Sequence, residues 1–191
     1  MGQKHYLGLD VGTQSVKGLV FDPEQDHGVI ARAGQPLDLL PGLPAGAAEQ
    51  HPDDWWQAVT QVLRQLAEQT DLSKIAGVGV SGQQHGSVFL DDSGAVVRPA
   101  KLWCDTSTAD EAQQLTQKLG RSVPVGFTAS KVTWLARHEV ENWQRTTHVL
   151  LPHDFINYRL TGSMTMEAGD ASGTGWFDVE ARQFDESAMN A

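Results

Sequence analysis

The chain has 191 residues, 40% of them hydrophobic and 20% charged, which is enough apolar side chain for the core of one ordinary globular domain and too little charge for a disordered one. Its 14 Lys and Arg against 24 Asp and Glu give a formal charge of -10, which repels phosphate backbones and anionic membrane surfaces and argues against nucleic acid or a membrane as partner. Cys104 is the single cysteine, so no internal disulfide can form and a reducing cytoplasm is the expected compartment.

The opening Met1-Gly2-Gln3-Lys4-His5-Tyr6 lacks the apolar run of a signal peptide, and Tyr6 stands where an acylation signal wants Ser or Thr. No later stretch is apolar for the length of a bilayer. His5 to Val11 reads as a strand that stops at the turn-forming Gly12-Thr13-Gln14-Ser15, Val16 to Phe21 as its return, and Gly28 to Gln35 as a third strand of a meander. Leu40 to Ala48, rich in Gly and Pro, is expected to be a surface loop. Pro52-Asp53-Asp54 then opens a helix with Trp55, Val59, Val62, Leu63 and Leu66 on one face. Ile75 to Ser81 is a compact apolar strand, and Ser87 to Leu90 and Val96 to Ala100 flank the turn Asp91-Asp92-Ser93-Gly94 as more, mostly antiparallel, sheet. Ser107 and Thr108 before Asp110 and Glu111 predict a capping box for a helix to about Leu119. Further helices are expected at Ala129 to His138 and Asp154 to Leu160, the latter between Pro152 and Gly162. The tail after Val179 reads as a helix cut short. The sum is an α/β fold with a mixed sheet flanked by helices.

Four segments carry residues suited to chemistry. In Asp10-Val11-Gly12-Thr13-Gln14-Ser15 a carboxylate ends a strand and a glycine and hydroxyl turn follows. Such a turn can bring N–H and O–H donors to a polyphosphate while Asp10 holds Mg²⁺ through water, although an ordinary hairpin turn would look the same. It is not a Walker loop, since Lys17 lies inside the returning strand rather than opening a helix. Ser81-Gly82-Gln83-Gln84-His85-Gly86 puts Gln84 and His85 at a strand end, where they could orient a polyol's hydroxyls or merely line a solvated loop. In Leu102-Trp103-Cys104-Asp105, Trp103 could pack on a sugar's C–H face and Asp105 could accept from its hydroxyls; core packing and helix capping are the plainer uses of those residue types. Near the end, Gly169-Asp170-Ala171-Ser172-Gly173 leaves the Asp170 carboxylate uncrowded. His153 and Asp154 beside Pro152 are read as capping a helix rather than binding a metal.

Taken in order, these segments resemble the FGGY carbohydrate kinases. Leu9 to Gly18 is similar to the first phosphate loop of the actin, hexokinase and Hsp70 superfamily, and Gly82-Gln83-Gln84-His85-Gly86 resembles the Gly-Gln-Met-His-Gly sugar motif of xylulokinases, with Gln84 in place of Met. Leu102 to Asp105 resembles their Trp-x-Asp stretch, and Gly169 to Thr174 their Ser-Asp-Ala-Ala-Gly-Thr segment, in which only Asp170 matches the acid. Pro124 to Lys131 and Leu150 to Phe155 also look like FGGY segments.

The resemblance implies a ribonuclease-H-like domain over residues 1–191 that binds sugar through Gln84, His85, Trp103 and Asp105 and phosphate through Gly12, Thr13, Gln14 and Ser15. Asp170 and Asp10 would be catalytic, the first as base and the second as the holder of Mg²⁺. It further implies ATP as co-substrate, a C-terminal nucleotide-binding domain that this chain lacks, cytoplasmic residence, and D-xylulose as the sugar; a homodimer is compatible with it. Another sugar of the same family, or a non-catalytic sugar-binding module of the same fold, would fit the same residues.

Overall fold

A computed structural model describes residues 4–191, so the reading of the first three residues as free of an acylation signal lies outside the described residues. In chain order the elements are strands β1 (His5–Val11), β2 (Ser15–Phe21), β3 (Val29–Pro36) and β4 (Glu49–Gln50), helix α1 (Pro52–Ala67), and strands β5 (Ile75–Gly82), β6 (Val88–Leu90) and β7 (Ala100–Lys101). Helices α2 (Ala109–Leu119), α3 (Thr128–His138) and α4 (Val140–Arg145) follow, then β8 (His148–Leu150), α5 (Pro152–Thr161), α6 (Ala168–Ala171), β9 (Phe177–Asp178), β10 (Gln183–Phe184) and α7 (Glu186–Met189). They fall into two compact units rather than the single one that length suggests. One runs through Asp38 and resumes over Asp53–Gln83; the other comprises Leu39–Pro52 and Gln84–Ala191.

The first unit is a four-stranded sheet in the order β3-β2-β1-β5. The predicted meander is antiparallel, and α1 supplies the crossover that brings β5 in parallel beside β1. Leu7, Leu9 and Val11 alternate with exposed neighbours and share their face with Val16 and Val20, the period of a strand buried on one side. On that face lies the predicted stripe of α1, with Trp55, Val59, Val62 and Leu66 fully buried, each contributing about 1.5–3 kcal/mol by leaving water. Gly18 makes the approach possible: a Cβ there would lie 2.5 Å from Val62 Cγ1.

The second unit has only short ladders, β4 with β7, β6 with β8, and β9 with β10. The expected hairpin around Asp91 is reduced to a single bridge, Leu90↔Val96, because the consecutively buried Val88, Phe89 and Leu90 take their ladder partners from β8. The predicted capping box at α2 is also absent. Thr108 holds the N-cap position, but its hydroxyl pairs with Ser130 Oγ at 2.9 Å, a buried inter-helix bond in place of a local one. α5 keeps its predicted brackets, Pro152 at the first turn and Gly162 in the left-handed conformation at φ 76°. Beyond Val179 the chain forms β10 and the one-turn α7 capped by Asp185, instead of one interrupted helix.

Candidate active site

In the first unit the turn from β1 to β2 is closed by Gly12 N–H donating to Ser15 O at 3.1 Å. Register sets Asp10 opposite Lys17, and Asp10 is exposed at the strand end. Thr13 Oγ1 donates to Gln83 Oε1 at 3.1 Å, and Gln83 N–H donates to Val11 O at 2.9 Å. Buried Gln83 therefore ties the turn to the end of β5. The hydroxyl proton of Thr13 and the amide proton of Gly12, both expected to serve a phosphate, hold the turn's own shape here; Ser15 and Gln14 remain partly or wholly exposed.

The second unit builds its polar centre from four segments far apart in sequence. Gly86 N–H donates to Gln84 O at 2.8 Å around His85, whose φ of 61° lies in the left-handed region: a γ-turn of the rarer, strained hand on a non-glycine residue. Three neighbours fix that strained turn. Thr128 Oγ1, at the start of α3, donates to His85 O at 3.2 Å, the Phe127 ring packs 5.1 Å from the imidazole, and Gly173 lies against it so closely that a Cβ would fall 1.8 Å from the ring. Burial lowers the pKa of His85 against the opposing pull of Asp170, so the ring is neutral at pH 7, and its Nδ1 is buried without a hydrogen-bond partner.

Asp170 sits in α6, preceded by the Glu167 carboxylate, which accepts the Asp170 N–H. Its Oδ2 lies 2.6 Å from His153 Nδ1, while its Oδ1 is buried with no partner. His153 Nε2 in turn lies 3.3 Å from Asp154 Oδ1, within ion-pair distance though not aligned as a hydrogen bond. Asp154 Oδ2 accepts the Leu151 N–H at 3.2 Å, the capping role expected of it. The bond to Asp170 raises the pKa of His153, with Asp154 and Glu167 adding to the rise against the cost of burial. Burial pushes Asp154 up to about 6. The chemistry available is a carboxylate oxygen on Asp170 and an imidazole nitrogen on His85, each buried without a hydrogen-bond partner.

The remaining expectations divide. Gln84 and Trp103 are exposed, as a contact surface requires, and the Trp103 carbonyl backs onto Gly126, next to Phe127. Asp105 is fully buried instead: Oδ1 accepts from Ser107 N–H and Oγ, and Oδ2 accepts from Ala48 N–H and Lys101 Nζ. Burial would raise its pKa, but these donors outweigh burial and hold it low. With four donors on its two oxygens, Asp105 organises the interior and has no oxygen left for a sugar. Beside it Lys131, also fully buried, donates to the carbonyls of Val125, Gly126 and Phe127 and so holds the loop that carries Phe127 to His85. Burial pushes Lys131 down to about 8.

Residues 5–191 match the N-terminal domain of the FGGY family of carbohydrate kinases. The chain belongs to that family. Among curated relatives, the xylulose kinase of Haemophilus influenzae is 38% identical over 195 residues, covering 94% of this chain and 39% of the relative. That of Streptomyces rubiginosus is 40% identical over 193 residues, covering 96% and 39%. The structure is similar to that of a xyloylose kinase from Brucella ovis, with a TM-score of 0.89 at 36% identity over 97% of this chain and 40% of that one. The fold alone extends to Plasmodium falciparum glycerol kinase, TM-score 0.84 at 20% identity. The mixed α/β architecture expected from the resemblance is thus borne out. The FGGY chain described here spans about two fifths of the length of these relatives.

Sequence reading missed His153 and Asp154 as neighbours of Asp170, and Lys131 altogether. The Pro152-His153-Asp154 run was sufficiently explained by capping, and only the fold brings the start of α5 against α6. Lys131 offered a weak signal, a lysine at a position where α3 otherwise turns Ala129, Ser130 and Leu135 inward.

Proposed function

We propose that the chain is the sugar-binding part of an ATP-dependent carbohydrate kinase that transfers the γ-phosphoryl group to D-xylulose, on its 5-hydroxyl, with the nucleotide held mainly by a further domain of the longer protein. The packing of Gly173 against His85 and the pull of Asp170 on its ring, with a buried unpartnered polar atom on each of the two residues, carry this reading, and the xylulose kinase relatives support the choice of sugar. In the proposal Gln84 and His85 orient the sugar's hydroxyls, Trp103 covers a C–H face, and Asp170 Oδ1 accepts the proton of the attacking hydroxyl as the loose transition state forms. Gly12 to Ser15 lie along the phosphates. Asp10 fits a water-mediated Mg²⁺, which commonly takes only one or two carboxylates besides water and phosphate, and the exposed carboxylate at the end of β1 supplies one. Bound there, Mg²⁺ would neutralise charge on the transferring phosphoryl group. The single cysteine supports cytoplasmic residence, and no helix among the described residues is long and apolar enough to cross a membrane.

A second reading of Asp170 is favoured by its 2.6 Å contact with His153: a carboxylate held by a charged imidazole is a firm hydrogen-bond acceptor but a poor proton acceptor, hence an anchor for the sugar rather than the base. Kinetics of Asp170→Asn in the full-length enzyme separate the two. A base predicts a loss in kcat of about 10²- to 10⁴-fold at little-changed sugar KM; an anchor predicts that KM rises instead. Calorimetry of this chain with D-xylulose, against glycerol and gluconate, tests the sugar. Absence of xylulose binding together with binding of another polyol would move the proposal to that substrate.

A further inference from the structure

α6 is a single turn, too short to fix the rotamer of the carboxylate it carries by helix packing, so whatever holds Asp170 must come from outside it. Among the described residues, the side chain in ion-pair contact with it is His153, from the first turn of α5. The far nitrogen of His153 lies within ion-pair distance of Asp154, at 3.3 Å, and Asp154 is pinned by the Leu151 amide at the helix start. His153, Asp154 and Asp170 are all at least nine-tenths buried, at 9%, 1% and 7% exposure. A neutral imidazole can donate from only one nitrogen, and here both nitrogens face carboxylates, so the geometry suits the doubly protonated ring. One oxygen of Asp170 is thereby engaged, and the other is left unsatisfied.

We propose that His153, backed by Asp154, is a positioning residue for Asp170: it orients the carboxylate by binding Oδ2 and so presents Oδ1 to a sugar hydroxyl. This rests on the reading of Asp170 as a sugar contact. The charged groups facing the ring are Asp154, Asp170 and Glu167, and Asp170 also acts on His85, which Lys131 opposes. As pH rises and His153 loses its proton, the ring loses the charge that attracts both acids, and the hold on Asp170 weakens.

Two measurements decide the matter, one of which needs no sugar. Ring nitrogen NMR of this chain should find His153 titrating above an ordinary histidine, with Asp170→Asn bringing it down more than Asp154→Asn does; a titration unmoved by Asp170→Asn would overturn the proposal. In the second, His153→Asn places an amide donor near the position of Nδ1, whereas His153→Leu offers none. His153→Leu should raise the sugar KM of the full-length enzyme on the order of tenfold to a hundredfold, and His153→Asn should recover most of that loss. In His153→Asn the fall of sugar affinity with rising pH should also vanish. Equal KM values for the Leu variant and the parent, in protein that melts as a folded domain, would overturn the positioning role. If no sugar binds the parent chain, the sugar-site reading fails, while the titration still decides whether His153 holds Asp170.

Discussion

In the first unit β1 and β2 pair without a break from Tyr6↔Phe21 to Val11↔Val16, and every second residue along them is buried; in the second unit no ladder exceeds three pairs, and the interior holds Glu49, Lys101, Asp105 and Lys131. One region is organised by an apolar pattern and presents backbone at a turn. The other is organised by charges that find partners across the chain, and it presents side chains. The difference matches the proposed tasks. A polyphosphate is met well by amides that any sequence supplies once a turn is fixed, whereas distinguishing one polyol from another requires acceptors and donors set at particular places.

Two glycines test that division most severely. Gly173→Ala drives a Cβ to 1.8 Å from the His85 ring, which sits in a strained turn with nowhere to yield, so sugar binding should fall by about a hundredfold or more. Gly18→Ala meets the ends of Val62 and Leu66 instead, which costs about 1–3 kcal/mol of overpacking and should lower the melting temperature without changing the affinity of the folded protein for sugar. Calorimetry on both variants checks this. Loss of sugar affinity in Gly18→Ala would erase the contrast between the units.

Lys131→Met should come next in size. It strips donors from three carbonyls between Val125 and Phe127 and should cost about 3 kcal/mol in chemical denaturation. The pH dependence has a definite sign. With its folded pKa near 8, below the ordinary 10.5, Lys131 leaves the unfolded chain holding the extra proton between those values, so the parent should gain stability over the Met variant as pH rises from about 8 to 10.5. A flat difference would mean that the buried amine is neutral in neither state. In the first unit, Gln83→Leu removes the acceptor of the Thr13 hydroxyl and the tie to β5, an effect of about 1 kcal/mol that should weaken nucleotide binding in the full-length enzyme and spare the sugar.

The same contrast governs how much could be read from the sequence. β1, β2, β3, α1 and β5 were legible to within a residue or two because alternation, a turn cluster and a helical stripe are local signals. Segments with His85 and Asp170 were found through motif resemblance, and Gly173, three residues after Asp170, lies against the His85 ring. Asp105 was misread because an aspartate after a tryptophan looks alike whether it faces solvent or, as here, accepts from Ala48, Lys101 and Ser107. The Thr108–Ser130 bond and the His153–Asp170 contact span 22 and 17 residues or join separate helices, and no local pattern encodes them.

Asp154→Asn is the smallest of these changes and the one that asks why the second unit keeps its charges. The asparagine can still accept from the Leu151 amide, so the start of α5 survives and only the charge is lost. Burial raises the folded pKa of Asp154 to about 6 from an ordinary 3.8, despite the help of His153, so between those values the folded protein holds a proton that the unfolded chain does not. The parent therefore loses stability as pH rises through that window, and above it carries a desolvated charge at a net cost. The asparagine variant should match the parent near pH 4 and exceed it by about 2 kcal/mol at pH 7, read from denaturant melts at the two values. His153 works the other way: its raised pKa gives stability that is complete below about 6.5 and lost as pH climbs through the folded value, and without Asp154 that loss begins at lower pH. A variant that is more stable at pH 7 yet binds sugar more weakly would identify Asp154 as a charge kept for the orientation of Asp170 at the expense of the fold. A variant less stable at pH 7 would instead make the His153–Asp154 pair a net structural bond, strong enough to outweigh its own desolvation.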